Sequence, residues 1–204
     1  ELRYDQKLAE EVYSETYGSF AKMPITELAR NQDAMKMSYV LLTDNCAICH
    51  GGDGGGNPGF PNLTDKDWIW GGSPEKILET ITHGRQAVMP AWGSLIGEEG
   101  VTNVAEYVLS LSGSEHDQAK AALGQKVFET NCVACHGADG KGNQQVGAPN
   151  LTDCIWLYGG KPETIRLTIR DGRTGIMPAQ AENLKADKIH LLAAYVYSLS
   201  LESE

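Results

Sequence analysis

A chain of 204 residues, 41% of them apolar, is long enough for one or two compact domains. Its formal net charge of −10 excludes a nucleic-acid binder, because phosphates would be repelled, and suits partners that carry basic patches. No signal peptide is visible at Glu1, and the densest apolar run, Tyr39-Val40-Leu41-Leu42, falls far short of the roughly 18 residues that span a bilayer, so the chain is expected to be soluble.

Residues 1–37 read as an amphipathic helical extension, interrupted around Gly18 to Pro24. Tyr39, Val40 and Leu42 then mark a helix running into the pentapeptide Cys46-Ala47-Ile48-Cys49-His50. The glycine run at 51–56 lacks the Gly-Lys-Ser/Thr ending and the preceding strand of a phosphate loop, and reads as a flexible loop. After Pro-Asn-Leu-Thr-Asp at 61–65 and Trp68-Ile69-Trp70-Gly71-Gly72, Ser73-Pro74-Glu75 supplies an N-cap, a proline at the first helical position and an acid in the first turn. Ile77, Leu78 and Ile81 give that helix an apolar face. Met89-Pro90 follows in a loop, because proline holds the residue before it extended. Val101, Val104, Val108 and Leu111 recur at helical spacing.

The pattern then starts again. Leu123, Val127 and Phe128 lead into Cys132-Val133-Ala134-Cys135-His136. A second Pro-Asn-Leu-Thr-Asp stands at 149–153, Trp156-Leu157-Tyr158-Gly159-Gly160 follows, and Ile165 and Ile169 mark the counterpart helix. Met177-Pro178 repeats the loop, and Ile189, Leu192, Val196 and Leu199 repeat the last helix. The copies are offset by 86 residues at the first cysteine and by 88 from the second common motif onward, a difference of two loop residues. A period this long means two tandem domains. The expected organisation is an N-terminal extension at 1–37, a first domain at 38–113, a polar linker at 114–120 and a second domain at 121–204. No alternating strand pattern stands out, so the fold class is all-α. Residues 1–113 hold 8 Lys/Arg against 16 Asp/Glu, and the rest 9 against 11, so the first half is the more acidic.

The pentapeptides carry the chemistry. Two thiols separated by two residues on one helical turn can add across the two vinyl groups of a haem, and the next residue turns its imidazole toward the iron. This makes Cys46, Cys49, Cys132 and Cys135 candidates for covalent attachment of two haem c groups, with His50 and His136 as proximal ligands. Two alternatives share the cysteine pattern: one four-sulfur zinc site, and a redox disulfide. Two copies inside an extended repeat, each followed by a Met-Pro loop, favour haem. Met89 and Met177 are the candidate sixth ligands, since thioether sulfur is a usual partner of histidine in cytochromes c. His83 is the rival to Met89, but its counterpart is Asp171. Met23, Met35 and Met37 have no counterparts and are assigned to packing. Pro61 and Pro149 are placed to offer a carbonyl to the other nitrogen of each proximal imidazole. Trp68, Trp70, Trp156 and Tyr158 are candidates to wall the haem, and Arg85 and Arg173 to offset propionate charge. His116 and His190 read as solvated. Cys154 aligns with Lys66 and gains no role from the repeat.

With its two CxxCH turns, PNLTDKDWIWGG, HGRQAVMPAW, CVACHGADGKGN and NLTDCIWLYGG, nearly the whole chain resembles the CcoP (FixP) subunits of cbb3-type cytochrome c oxidases. The resemblance implies two tandem class I cytochrome c domains. It implies an anchoring N-terminal transmembrane helix that this chain does not show, with this portion on the periplasmic face of a bacterial inner membrane. It implies single-electron relay from a donor c-type cytochrome to the other oxidase subunits, with no substrate chemistry at this subunit itself. Cys154 stands where the family more typically has asparagine. A free periplasmic dihaem carrier and a haem-based gas-binding protein are the alternative functions.

Overall fold

The computed structural model describes residues 17–201; the expected helix of residues 1–16 lies outside them. The chain is mostly helical. After a 3-10 turn at Phe20–Lys22 come helices α1 (Ile25–Leu28), α2 (Gln32–Asn45), α3 (Ala47–His50) and α4 (Pro74–His83), then strand β1 (Arg85–Met89). Helices α5 (Gly93–Leu111), α6 (Gln118–Asn131), α7 (Val133–His136) and α8 (Pro162–Asp171) follow, then strand β2 (Arg173–Met177) and helix α9 (Ala186–Leu201).

The helix starts follow the sequence chemistry. Asn31 caps α2, its side chain accepting from the backbone of Asp33 and Ala34. Its counterpart Asp117 caps α6, accepting from Ala119 and Lys120. Ser73 caps α4 by accepting from Lys76. Lys161, at the same place before α8, has the same extended backbone and no side-chain cap. Helix α5 bends at Gly97, whose φ of 67° is outside the helical region.

The expected contiguous domains are not the compact units of the structure. Among the described residues, one unit comprises 17–66, 72–84 and 178–201; the other comprises 67–71 and 85–177. The first therefore joins α1, α2, α3 and α4 of the first repeat to α9 of the second. There α9 packs on α2, α4 and α1, burying Leu191, Leu192, Ala193 and Ala194 with Leu28, Leu42 and Ile77. The second unit joins α5 of the first repeat to α6, α7 and α8. Its core is Val101, Val104, Val108 and Leu109 of α5 with Phe128 of α6 and Ile165 and Ile169 of α8. Only residues 112–117 separate α5 from α6, and so short a connection favours antiparallel neighbours. The repeat shows which helix types must pack, but not which copy supplies the partner.

Close packing fixes the α5–α6 crossing. A Cβ built on Gly124 would lie 1.9 Å from the Asn103 carbonyl oxygen, so only glycine lets the two backbones meet there. One turn further on, Phe128 packs against Tyr107 with ring centroids 5.2 Å apart and the planes tilted by 58°. In the other unit Tyr195, the counterpart of Tyr107, meets Tyr39 at 6.3 Å.

The all-α expectation also needs one amendment. β1 and β2 pair antiparallel, Arg85 opposite Met177 and Met89 opposite Arg173. Both strands alternate half-buried and exposed residues. The inward positions of β1 are Arg85, Ala87 and Met89, while Val88 faces out, so no apolar alternation marks the strand in the sequence.

Candidate haem-binding sites

Each pentapeptide begins where a helix ends. The backbone turns at Cys46 after α2 and at Cys132 after α6, and one further helical turn carries the second cysteine and the histidine. In both copies the histidine N–H donates to the first cysteine's carbonyl at 2.9 Å, and the second cysteine's N–H donates there at 3.1 Å. Both thiols are thus held on one turn, the arrangement that attachment to neighbouring vinyl groups requires.

The imidazoles are oriented from behind. His50 Nδ1 lies 2.9 Å from the Pro61 carbonyl oxygen, and His136 Nδ1 lies 3.1 Å from that of Pro149. A carbonyl only accepts, so each Nδ1 carries the proton and each Nε2 keeps its lone pair for a metal. The loop that presents each proline is tied back to the pentapeptide: Gly56 donates to His50 O and Gly142 to His136 O, both at 2.8 Å. These are the carbonyl partners expected from the two Pro-Asn-Leu-Thr-Asp motifs.

The environment suits ligation rather than thiol redox chemistry. Burial lowers the His136 pKa, outweighing the Pro149 hydrogen bond that raises it, so the ring is neutral at neutral pH. Burial, assisted by the neighbouring Cys135, pushes the Cys132 thiol up to about 11, and burial then Cys49 raise Cys46. A redox-active CxxC needs a lowered thiol pKa. All five cysteines are free thiols. Among the described residues no three His, Cys, Asp or Glu side chains converge into a metal cage, so the four-sulfur zinc site has no structural counterpart there. Two vicinal thiols and one imidazole of fixed tautomer, occurring twice, are a donor set that fits haem c.

The other named residues fall into place unevenly. Met89 packs against the core of the second unit, as Trp92 and Cys132 do. Met177 ends β2, opposite Arg85. Arg85 lies over the Trp70 ring, 5.1 Å from its centroid, and Arg173 over Tyr158 at 4.5 Å, so these arginines have aromatic partners. Arg173 also donates to the Thr168 hydroxyl. His190 is not simply solvated: it is half-buried and its Nε2 donates to the Met23 carbonyl at 2.8 Å. His116 is half-buried as well, with Nδ1 on the Ser114 carbonyl. Cys154 is exposed, its sulfur 3.8 Å from Ser112 O. No helix among the described residues is long and apolar enough to cross a membrane.

Comparison with known proteins agrees with this geometry. The model of the family "Cytochrome C oxidase, cbb3-type, subunit III" matches residues 33–108 and again 119–196. The chain is 50% identical, over 92% of its length, to the cbb3-type cytochrome c oxidase subunit CcoP of Rubrivivax gelatinosus, of which it covers 62%. It is 45% identical, over 88% of its length, to subunit FixP of Azorhizobium caulinodans, covering 66% of that protein. With subunit FixP of Bradyrhizobium diazoefficiens the identity is 50% over 78% of the chain and 59% of the relative. The chain thus spans about three fifths of the length of the relatives it matches. Twin pentapeptides, twin proline-backed imidazoles and a family match that recurs in both repeats lead to one conclusion: the chain belongs to the subunit III family of cbb3-type cytochrome c oxidases.

Proposed function

We propose that the chain is a dihaem c-type cytochrome that relays single electrons from a donor c-type cytochrome to the catalytic subunits of a cbb3-type terminal oxidase, on the periplasmic face of the membrane. The observation that carries this reading is the duplicated turn in which two free thiols precede an imidazole whose Nδ1 proton is given to a proline carbonyl. Cys46 and Cys49 would hold one haem and Cys132 and Cys135 the other, with His50 and His136 as proximal and Met89 and Met177 as distal ligands. Bound haem would supply a one-electron iron couple. The chain's own residues do the rest. The Pro61 and Pro149 carbonyls hold each imidazole in one tautomer and orientation, which keeps Nε2 available throughout the redox cycle. Methionine sulfur from Met89 and Met177, together with the imidazoles of His50 and His136, would raise the reduction potential of the bound haems.

The family membership and the names of the relatives support the oxidase assignment. The test is a redox-titrated optical spectrum of the matured chain, with haem counted per polypeptide. Two covalent haems, each with a sulfur–iron charge-transfer band when oxidised, are expected. Colourless protein, or a single haem per chain, overturns the reading. Electron entry into an oxidase that lacks only this subunit's haems, at an undiminished rate, overturns the relay.

A further inference from the structure

The two attachment turns differ on their outer side. Ile48, the residue before Cys49, is 91% exposed, more than any other large apolar side chain among the described residues. The loop that follows brings a second one to it. Asn57 donates from its side chain to the Cys49 carbonyl at 2.8 Å, and the Phe60 N–H donates to the Asn57 carbonyl at 2.7 Å. Phe60, 41% exposed, is thereby fastened to the same end of the attachment turn as Ile48. The repeat counterparts are Ala134 and Ala148, so the second copy has neither large side chain.

Charge differs in the same sense. Between Lys36 and Lys66 the chain has no lysine or arginine and three aspartates, Asp44, Asp53 and Asp65. Asp44, two residues before Cys46, and Asp53, three after His50, are both exposed. The corresponding stretch around the second turn sets Lys126 and Lys141, both exposed, among Glu129, Asp139 and Asp153. Single apolar side chains on a surface need no explanation. Here two stand at the turn that would carry a haem, within a rim of one sign.

Building on the dihaem relay reading above, we propose that the donor c-type cytochrome docks on the first attachment turn, with Ile48 and Phe60 as the apolar centre and Asp44 and Asp53 as the acidic rim. The occupant is a small cytochrome whose exposed haem edge is apolar and ringed by lysines. Electron-transfer contacts are small and short-lived, so a two-residue centre suffices. The rim steers the encounter and the centre holds it. A haem joined to Cys49 is attached one residue from Ile48, so electrons enter at the first pentapeptide. The second turn has alanines in place of the centre and lysines within the rim.

The test uses the matured full chain and, as probe, a reduced lysine-rich monohaem cytochrome c, with electron arrival followed by stopped flow. Ile48→Ala with Phe60→Ala should lower the second-order rate constant about tenfold, at an unchanged haem count and an unchanged rate with a small neutral hydroquinone. Asp44→Asn with Asp53→Asn should slow the reaction at low ionic strength and leave it unchanged at high ionic strength. Leu95→Ala, which trims another side chain that is 69% exposed, should leave the rate as it is. Parent rates in both double variants overturn docking at this turn, while two covalent haems per chain keep the relay reading standing. Equal slowing by Leu95→Ala overturns it as well. So does undiminished reaction with the probe when transfer from the chain to the rest of the assembled oxidase is slowed, which gives the surface to another subunit. A second measurement needs no substitution. The same probe with zinc in place of iron, titrated into the reduced nitrogen-15-labelled chain, should shift the amide resonances of Asp44, Ile48 and Phe60 and leave those of Ala134 and Ala148. The reverse pattern overturns the proposal.

Discussion

Gly124 is the residue on which the second unit's packing depends most directly. Its missing side chain lets α6 approach α5 until backbone atoms meet, and a methyl group there would have to push Asn103 and Val104 away. Gly124→Ala should therefore destabilise the protein by about 2 kcal/mol through overpacking, seen as a lower thermal midpoint of the matured protein. Gly52, whose added Cβ would meet nothing within 4 Å, is the control and should leave the midpoint unchanged when replaced by alanine. Asp117 offers a pH-dependent counterpart. Hydrogen bonds from the Lys120 backbone and side chain hold its carboxyl below the usual value. A depressed pKa adds stability above the unfolded-state value and loses it as pH falls through the folded-state value. The acid limb of a stability–pH curve should accordingly be slightly shallower in Asp117→Asn, which keeps the cap without the charge. At this scale the sequence is informative: cysteine and histidine spacing names the attachment residues, and proline after the second loop names the carbonyls that reach Nδ1. It says nothing of His190, whose bond to Met23 O joins residues 167 positions apart.

Single helices are legible because their signals are local. Ser73-Pro74-Glu75 starts α4 as its composition demands, and apolar residues at helical spacing become the buried faces of α4, α5, α8 and α9. The β1–β2 ribbon is not legible. Its strands are five residues long, and arginine, alanine and methionine occupy the inward side of β1, so pairing with a distant partner, not hydrophobic alternation, makes them strands. The caps give a test in each direction. Asn31→Ala removes two acceptor contacts at the start of α2 and should cost about 1 kcal/mol. Lys161 has the extended backbone of an N-cap but no capping side chain, whereas Ser73 has both. Lys161→Ser should therefore stabilise by roughly 0.5–1 kcal/mol, read as a raised denaturation midpoint.

On the scale of the whole molecule, the repeat counts the units but does not say how the chain is shared between them. Both copies encode a helix before CxxCH and a helix after Met-Pro, and self-pairing and cross-pairing bury the same kinds of residue. The short 112–117 connection and the Gly124 contact with Asn103 decide for cross-pairing. Charge is uneven along the sequence: residues 1–113 hold 8 Lys/Arg against 16 Asp/Glu, and the whole chain carries a formal net charge of −10. A basic donor cytochrome should be steered by this field, so its reduction of the chain should slow on the order of tenfold between low and high ionic strength in stopped-flow measurements. A rate insensitive to salt counts against electrostatic steering.

The exchange can also be tested without touching either haem site. Gly113 is exposed in the connection between α5 and α6, and a Cβ there would meet nothing within 4 Å, so a protease site inserted at it extends into open space. Cutting the matured, folded protein there separates the two sequence repeats covalently. Two independent domains on a string would then part on gel filtration. In the exchanged fold, α5 stays buried against α6 and α8, and α9 against α2 and α4, so each compact unit still contains both fragments. The nicked protein should elute at the volume of the intact chain and come apart only in denaturant. Separation under native conditions would show that each repeat packs on itself.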